Sequence, residues 1–315
     1  MKKTLLASVA LVLTQAISAG AALAEVESQD PIKITTHDWS GDVISATLMS
    51  EVLKQAGYNT ELVQADYLAQ FAGLKTGDLD LAMEIWATTG KDALDEATAT
   101  GNVVNFGETG MVAREEWWYP DYMEERCPGL PDWHALLNCA DAFSTAETAP
   151  NGRYLGGPVT WGGYDEERVE ALGLPFEVVH AGTDAALFAE LQAAYERQDP
   201  IILWIYQPHW APAKYKGKFV EFPPYDPACY SDPAWGENPD MAYDCGKPQG
   251  PIWKAGWVGL EQKWPGAAKI IRGFTISNDD MGAMVYKVDI EGQDIGAVVA
   301  DWMKANEATW QAWSK

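Results

Sequence analysis

The sequence predicts an α/β protein of two lobes with a ligand cleft between them. Three observations carry this. Strand and helix signals alternate between residues 32 and 106 in the order β-α-β-α-β, the pattern of a mostly parallel sheet with right-handed crossovers. The alternation breaks, then restarts at Leu155, so the chain builds two such blocks joined by irregular segments. About 290 residues follow an N-terminal leader, enough for two lobes with cores of their own.

Ile32 to Thr36 is a β-type run. Asp42 to Ala56 carries an apolar stripe (Val43, Ile44, Thr47, Leu48, Val52) at helical spacing and stops at Gly57, a C-terminal cap residue. A strand over Thr60 to Val63, a helix over Tyr67 to Lys75, a strand over Leu79 to Ile85, a helix over Lys91 to Thr98 and a strand over Val103 to Phe106 complete the first block. Residues 107 to 153 hold two cysteines and four prolines and read as irregular. The second block reads as a strand from Leu155 to Thr160, a helix from Glu166 to Leu172, a strand from Phe176 to His180, a helix from Asp184 to Arg197 and a strand from Pro200 to Tyr206. Residues 223 to 252 form a Pro/Asp/Gly-rich loop, and the tail from about Ile252 reads as helices rich in Trp and Ala. The expected division is a leader at 1–24, a first lobe at 25–113 completed by about 212–315, and a second lobe at 114–211.

The leader has the form of a secretory signal: Lys2 and Lys3, an apolar run from Leu5 to about Ala19, and the small-residue cleavage site Ala22-Leu23-Ala24. The apolar run is short for a membrane span and is interrupted by Thr14, Gln15 and Ser18. No cysteine follows the cleavage site to take a lipid, so the mature protein is expected to be soluble and periplasmic. Its formal charge of −24 becomes more negative once Lys2 and Lys3 are removed. That balance argues against nucleic acid and anionic lipid and suits a small cationic or zwitterionic ligand.

Four cysteines in an exported chain read as two disulfides. Three connectivities are possible, and proximity favours Cys127–Cys139 and Cys229–Cys245. A four-thiolate zinc site is the alternative, but the pairs lack close spacing and the compartment is oxidising. The acidic loop from Asp226 to Asp244 could offer oxygens to Ca²⁺, although it lacks the EF-hand pattern. No metal and no cofactor is expected.

The chain carries 15 Trp, 13 Tyr and 8 Phe. Their placement informs more than their number. Trp39 follows the first strand, Trp86 ends the third, Trp161 precedes Gly162-Gly163, and Trp204 and Tyr206 lie two apart on one strand and so share a face. Trp117 stands in Glu115-Glu116-Trp117-Trp118. Strand ends and turns hold ligands in open α/β folds. Ring faces attract a quaternary ammonium, which has no N–H to donate, at about 0.5–2 kcal/mol per ring. Trp257, Trp264, Trp302, Trp310 and Trp313 read as packing. Asp42 could face a cationic head or simply meet its helix dipole. His209, in Gln207-Pro208-His209-Trp210, could donate to a ligand carboxylate, as could backbone N–H groups at Gly41, Gly162 and Gly163.

An enzyme needs a nucleophile and base, and no G-x-S-x-G, H-E-x-x-H, P-loop or strand-following G-x-G-x-x-G is present. His37, His134, His180 and His209 are scattered without ligand spacing.

Several segments resemble the substrate-binding proteins of glycine betaine/choline-type ABC importers. They are Trp39-Ser40-Gly41-Asp42, Gly77-Asp78-Leu79-Asp80 and Glu84-Ile85-Trp86, then Trp204-Ile205-Tyr206-Gln207-Pro208-His209-Trp210, and finally Ile276-Ser277-Asn278-Asp279-Asp280-Met281 with Asp301-Trp302-Met303. The resemblance spans nearly the whole mature chain. It implies a two-lobed periplasmic binding fold of type II kind that closes over one ligand, an aromatic box around an onium head, and delivery by a monomer to membrane permease subunits. Trp39, Trp86, and Trp204 or Tyr206 fall at matching segments. Trp117, with Trp118 as neighbour, falls near a position where relatives place an aromatic. His209 matches a carboxylate-binding histidine of some relatives, and Asp42 is displaced by one residue from an acid of choline-binding ones. The choline-type Asn-Asp-Gly turn is replaced by Thr160-Trp161-Gly162-Gly163, and both cysteine-bearing segments are long. Glycine betaine leads as the expected ligand. Trimethylamine N-oxide, dimethylsulfoniopropionate and choline stay open, with a sugar or amino-acid receptor, then an exported hydrolase, as alternatives.

Overall fold

The computed structural model describes residues 26–315, so the expected leader lies outside the described residues. One nine-stranded mixed sheet runs through the molecule in the order β2-β1-β3-β9-β4-β7-β5-β6, with β8 paired on β4. Its strands are β1 (Ile32–Thr36), β2 (Thr60–Gln64), β3 (Leu81–Trp86), β4 (Val103–Pro120), β5 (Gly152–Gly156), β6 (Phe176–His180), β7 (Leu203–Gln207), β8 (Gly217–Phe219) and β9 (Gln249–Trp257). The helices are α1 (Ser40–Gln55), α2 (Gln70–Thr76), α3 (Lys91–Ala99), α4 (Leu136–Cys139), α5 (Asp165–Ala171), α6 (Asp184–Arg197), α7 (Ala211–Lys214), α8 (Leu260–Lys263), α9 (Pro265–Gly273), α10 (Asn278–Asp289), α11 (Ile295–Ala305) and α12 (Glu307–Ala312).

Both βαβ blocks stand where the alternation placed them. β1 pairs in parallel with β2 and β3, and β5 in parallel with β6 and β7. The strand at Phe176–His180 and the helix at Asp184–Arg197 have the expected bounds. Thr183 caps that helix by accepting from the Ala186 N–H at 3.2 Å.

Three expectations need correction. The strand expected at residues 103–106 continues to Pro120. Gly107 and Gly110, both at positive φ, and the charges at Arg114, Glu115 and Glu116 hide it as a loop. The tail expected to be helical from about Ile252 begins with β9, antiparallel to both β3 and β4. Lys254 breaks the apolar pattern there, yet it is buried with its ammonium donating to the carbonyls of Glu108 (2.7 Å) and Phe274 (2.8 Å). Finally, residues 212–248, expected with the first lobe, pack with the second half of the sheet. β8 pairs with Trp118–Pro120, Asn238 donates to the Ala171 carbonyl (2.8 Å), and Arg168 donates to the Cys245 carbonyl (3.0 Å).

The long strand β4 links the two halves. Its first part pairs with β9 as far as Arg114, and from Arg114 it pairs with β7. Ala113 lies opposite Gly250 and Arg114 opposite Gln249, so both crossings of the chain between the halves lie side by side. Helices α10 and α11 pack on α1 and close the first half. The two disulfides are Cys127–Cys139 and Cys229–Cys245, the pairing that proximity favours.

An aromatic cage between the two halves

The loops at the junction of the halves bring four rings around a small cavity. Trp39 precedes α1, Trp86 ends β3, Trp161 closes a short 3-10 turn at Val159–Trp161, and Tyr206 lies on β7. Their neighbours stand almost at right angles. Trp39 meets Trp161 at 5.6 Å between centroids and 80°, Trp161 meets Tyr206 at 5.8 Å and 85°, and Tyr206 meets Trp86 at 5.5 Å and 88°. Consecutive rings stand edge to face and form the walls of the cavity. Tyr67, Thr89 and Glu115 complete the lining.

The space between the walls is small, roughly 3 Å in radius. That suits a single nitrogen with its methyl groups.

Each ring is tied down by its polar edge. Trp39 and Trp86 both donate their indole N–H to Glu84, at 3.0 and 3.1 Å. Trp161 donates to Asp38 at 2.9 Å, across the two halves, and the Tyr206 hydroxyl donates to Asp184 at 2.7 Å. The Tyr67 hydroxyl accepts the Trp86 backbone N–H at 2.9 Å. Gly90 is needed here: a Cβ at that position would stand 2.2 Å from the Tyr67 hydroxyl oxygen.

Glu115 lies opposite Tyr206 in the β4–β7 register and is the one carboxyl in the lining. Burial pushes it up to about 7, with the Thr88 hydroxyl and then Lys247 acting the other way. A carboxyl raised this far exchanges its proton near neutrality.

The expected site residues divide. Trp39, Trp86, Trp161 and Tyr206 come together as walls. Trp117 does not: it is fully buried, stacked on Tyr154 at 3.9 Å, with its N–H on Asp165 at 2.8 Å. Trp204 is paired with Trp117 behind the cage. Its face is filled by the protein's own cation, Lys247, 4.3 Å from the ring centroid. That ammonium also bonds Asp165 (3.1 Å) and the Gly163 carbonyl. Gly163, at φ 131° and with Trp204 2.3 Å from where a Cβ would sit, serves this packing through its carbonyl. Asp42 lies outside the cage as a buried acid accepting the His37 N–H at 2.8 Å, and burial holds its carboxyl well above the usual range. His209 also misses the cavity. It stacks on Phe188 at 3.9 Å and points Nε2 toward Asp289, 3.6 Å away.

Asp184, His209 and Asp289 gather closely enough to suggest a metal. However, Nδ1 of His209 accepts the Ala211 N–H at 3.2 Å, so the neutral ring carries its proton on Nε2, which stands 3.6 Å from Asp289, beyond hydrogen-bond distance. Trp210 does bond across the halves here, its indole N–H donating to Asp289 at 2.8 Å.

Glu84, Glu115 and Tyr67 were not singled out from the sequence. A signal existed for two of them. Glu84 interrupts a strand, Leu81–Trp86, that is buried at every position, and Glu115 is two residues from Trp117 on a strand mistaken for a loop.

A cage of rings at the junction of two α/β halves defines a ligand-binding protein of the two-lobed extracytoplasmic class. Residues 30–305 match the model of the substrate-binding domain of ABC-type glycine betaine transport systems. The chain is 32% identical to the trimethylamine N-oxide-binding protein of Pelagibacter ubique (strain HTCC1062), over the full length of both. Two solved structures share its fold. Lactococcal OpuAC, closed and complexed with glycine betaine, superposes with a TM-score of 0.70 at 17% identity, over 91% of this chain and 100% of that one. An ABC-transporter choline-binding protein in complex with choline gives 0.72 at 18% identity, over 92% and 93%. The chain therefore belongs to the substrate-binding domain family of ABC-type glycine betaine transport systems, and it is a substrate-binding protein of that transporter type. Members of this family are transport binding proteins that work outside the cytoplasm. Among the described residues no helix is long and apolar enough to cross a membrane.

Proposed function

We propose that this protein captures a compact methylated onium, trimethylamine N-oxide foremost, and hands it to the permease subunits of an ABC importer. The carrying observation is the cage itself: four perpendicular rings around a cavity of the size of one methylated nitrogen, with one protonatable carboxyl in its wall. The methyl groups lie against Trp39, Trp86, Trp161 and Tyr206, each ring contributing about 0.5–2 kcal/mol. Protonated Glu115 donates to the N-oxide oxygen, a strong acceptor attached directly to the nitrogen. The name of the full-length relative agrees with this choice. Glycine betaine, which the sequence favours, needs donors for a carboxylate one carbon further out, and His209 is turned away to Asp289.

The lining of five rings, one hydroxyl and one carboxyl supports a receptor that releases its ligand unchanged. The two halves, 26–113 with about 249–315 and 114–248, are the moving lobes of this reading, and β4 and β9 carry the hinge. The protein acts as an exported monomer processed after Ala24. Mass spectrometry of the periplasmic fraction and light scattering of the purified protein test those two points.

A thermal-shift and calorimetric panel of trimethylamine N-oxide, glycine betaine, choline, dimethylsulfoniopropionate, proline and sugars tests the ligand. The cognate ligand raises the melting temperature by the linkage relation RT ln(1 + [L]/Kd), about 2.7 kcal/mol at a hundredfold excess over Kd. Trimethylamine N-oxide is expected to give the largest rise. A response to sugars or proline alone overturns the onium reading.

A further inference from the structure

We infer that Glu84 is a positioning residue for the ligand: one of its carboxylate oxygens holds Trp39 and Trp86 at a fixed pitch and sets a negative charge at the N–H edge of both rings. This deepens the onium-binding reading and rests on it.

Trp39 and Trp86 come from different elements, the turn before α1 and the end of β3. Nothing in the backbone makes their indoles converge. Glu84 does. It lies two residues before Trp86 on a strand whose every residue is buried, and it is itself 1% exposed. Its Oε2 accepts both indole N–H groups, at 3.0 and 3.1 Å, while its Oε1 accepts the Ser45 hydroxyl at 2.7 Å. Both oxygens are thereby used, and both rings lose their freedom to swing about the Cβ–Cγ bond.

The same bonds act on the ring electrons. An indole that donates its N–H to a carboxylate is polarised toward its face, and the face is what a methylated cation meets. Trp161 and Tyr206 repeat the construction on Asp38 and Asp184. Glu84 alone serves two walls.

Four titratable groups face Glu84. From α1 comes Asp42, whose carboxyl burial raises well above its ordinary range; from the β1–α1 turn comes His37, which burial pushes toward the neutral form. Tyr67, and Tyr206 from β7, are held far above their ordinary range by burial. Burial first, then Asp42, pushes Glu84 up to about 7. A cation against Trp39 and Trp86 favours the ionised carboxylate, so binding releases a proton below that pH.

Two variants separate geometry from charge. In Glu84→Gln the amide oxygen can keep both indole bonds while the charge is lost. In Glu84→Ala both are lost. Calorimetric Kd values for trimethylamine N-oxide are measured between pH 5.5 and 8.5 for wild type, both variants and Trp86→Ala. At pH 8, E84Q is expected to bind about tenfold more weakly than wild type and E84A about a hundredfold more weakly. The wild-type/E84Q ratio narrows as pH falls through about 7; taking the ratio cancels the titration of Glu115, which both proteins carry. Nitrogen-15 spectra should show the Trp39 and Trp86 indole N–H resonances retained in E84Q and moved in E84A. Affinities of E84Q and E84A equal to wild type, with Trp86→Ala still impaired, overturn the inference and leave the onium reading intact. A wild-type protein that binds no onium overturns both. If E84A does not fold, the pH dependence of the E84Q ratio decides alone, and a ratio of one at every pH overturns the inference.

Discussion

Trp86 touches the cavity, the hydrogen-bond network and the neighbouring wall Tyr206 at once. Trp86→Ala is expected to weaken onium binding about tenfold or more, read by calorimetry. Glu115 sets a second prediction. It donates only while protonated, and burial holds it protonated up to about 7. Affinity for an N-oxide should therefore decline as pH rises above 7, and Glu115→Gln, which keeps a donor, should remove that decline. Lys247 supplies a third. Its ammonium and backbone N–H hold Asp165 and Glu116 in the interior. Lys247→Met removes the ammonium from Asp165, leaving its charge to Arg168 and the Trp117 indole N–H, and should lower unfolding free energy by on the order of 3–5 kcal/mol in a denaturant titration. Single residues were partly legible. A tryptophan at a strand end announces a ring near the cleft, but a face already occupied by a buried lysine 43 positions away, as at Trp204, leaves no mark in the local sequence.

At the scale of elements, periodicity located what local physics determines. The helix Asp184–Arg197 has a threonine cap and an apolar stripe, and its bounds were readable. β4 was not, since its glycines and charges serve long-range partners: Glu116 meets Arg168 at 2.5 Å and the Lys247 N–H at 2.9 Å. β9 was hidden by the same effect at Lys254. The loop that delivers Lys247 is closed by Cys229–Cys245, 16 residues apart. Replacing both cysteines by alanine frees a loop of that size and should cost about 3 kcal/mol in equilibrium unfolding. Ligand affinity should fall with it, because Trp204 loses the cation that braces it.

Several buried carboxyls stand above their unfolded values, chiefly through burial: Glu84 and Glu115 near 7, Asp184 near 8, and Asp42 and Asp80 raised as well. Groups raised in the folded state bind protons that the unfolded chain releases. Their contribution to stability is full below about pH 4 and is lost as pH climbs through 7 to 8. Denaturant titrations of unliganded protein at pH 5, 6.5 and 8 should show that loss, with a shallower slope in the Glu84→Gln/Glu115→Gln double variant. The two-lobed plan was legible from the restart of the alternation at Leu155. The assignment of residues 212–248 was not, because β8, the loop and its disulfide are placed by contacts with β4 and α5 that no periodicity records.

Trp39 and Trp161 belong to opposite halves and meet edge to face only when those halves are together. Their indole transitions then couple at fixed geometry, and the coupling vanishes when the halves part. The molecule thus contains its own optical gauge: near-ultraviolet circular dichroism, which reports fixed aromatic packing, can follow opening and closing in unlabelled protein on the timescale of a stopped-flow trace.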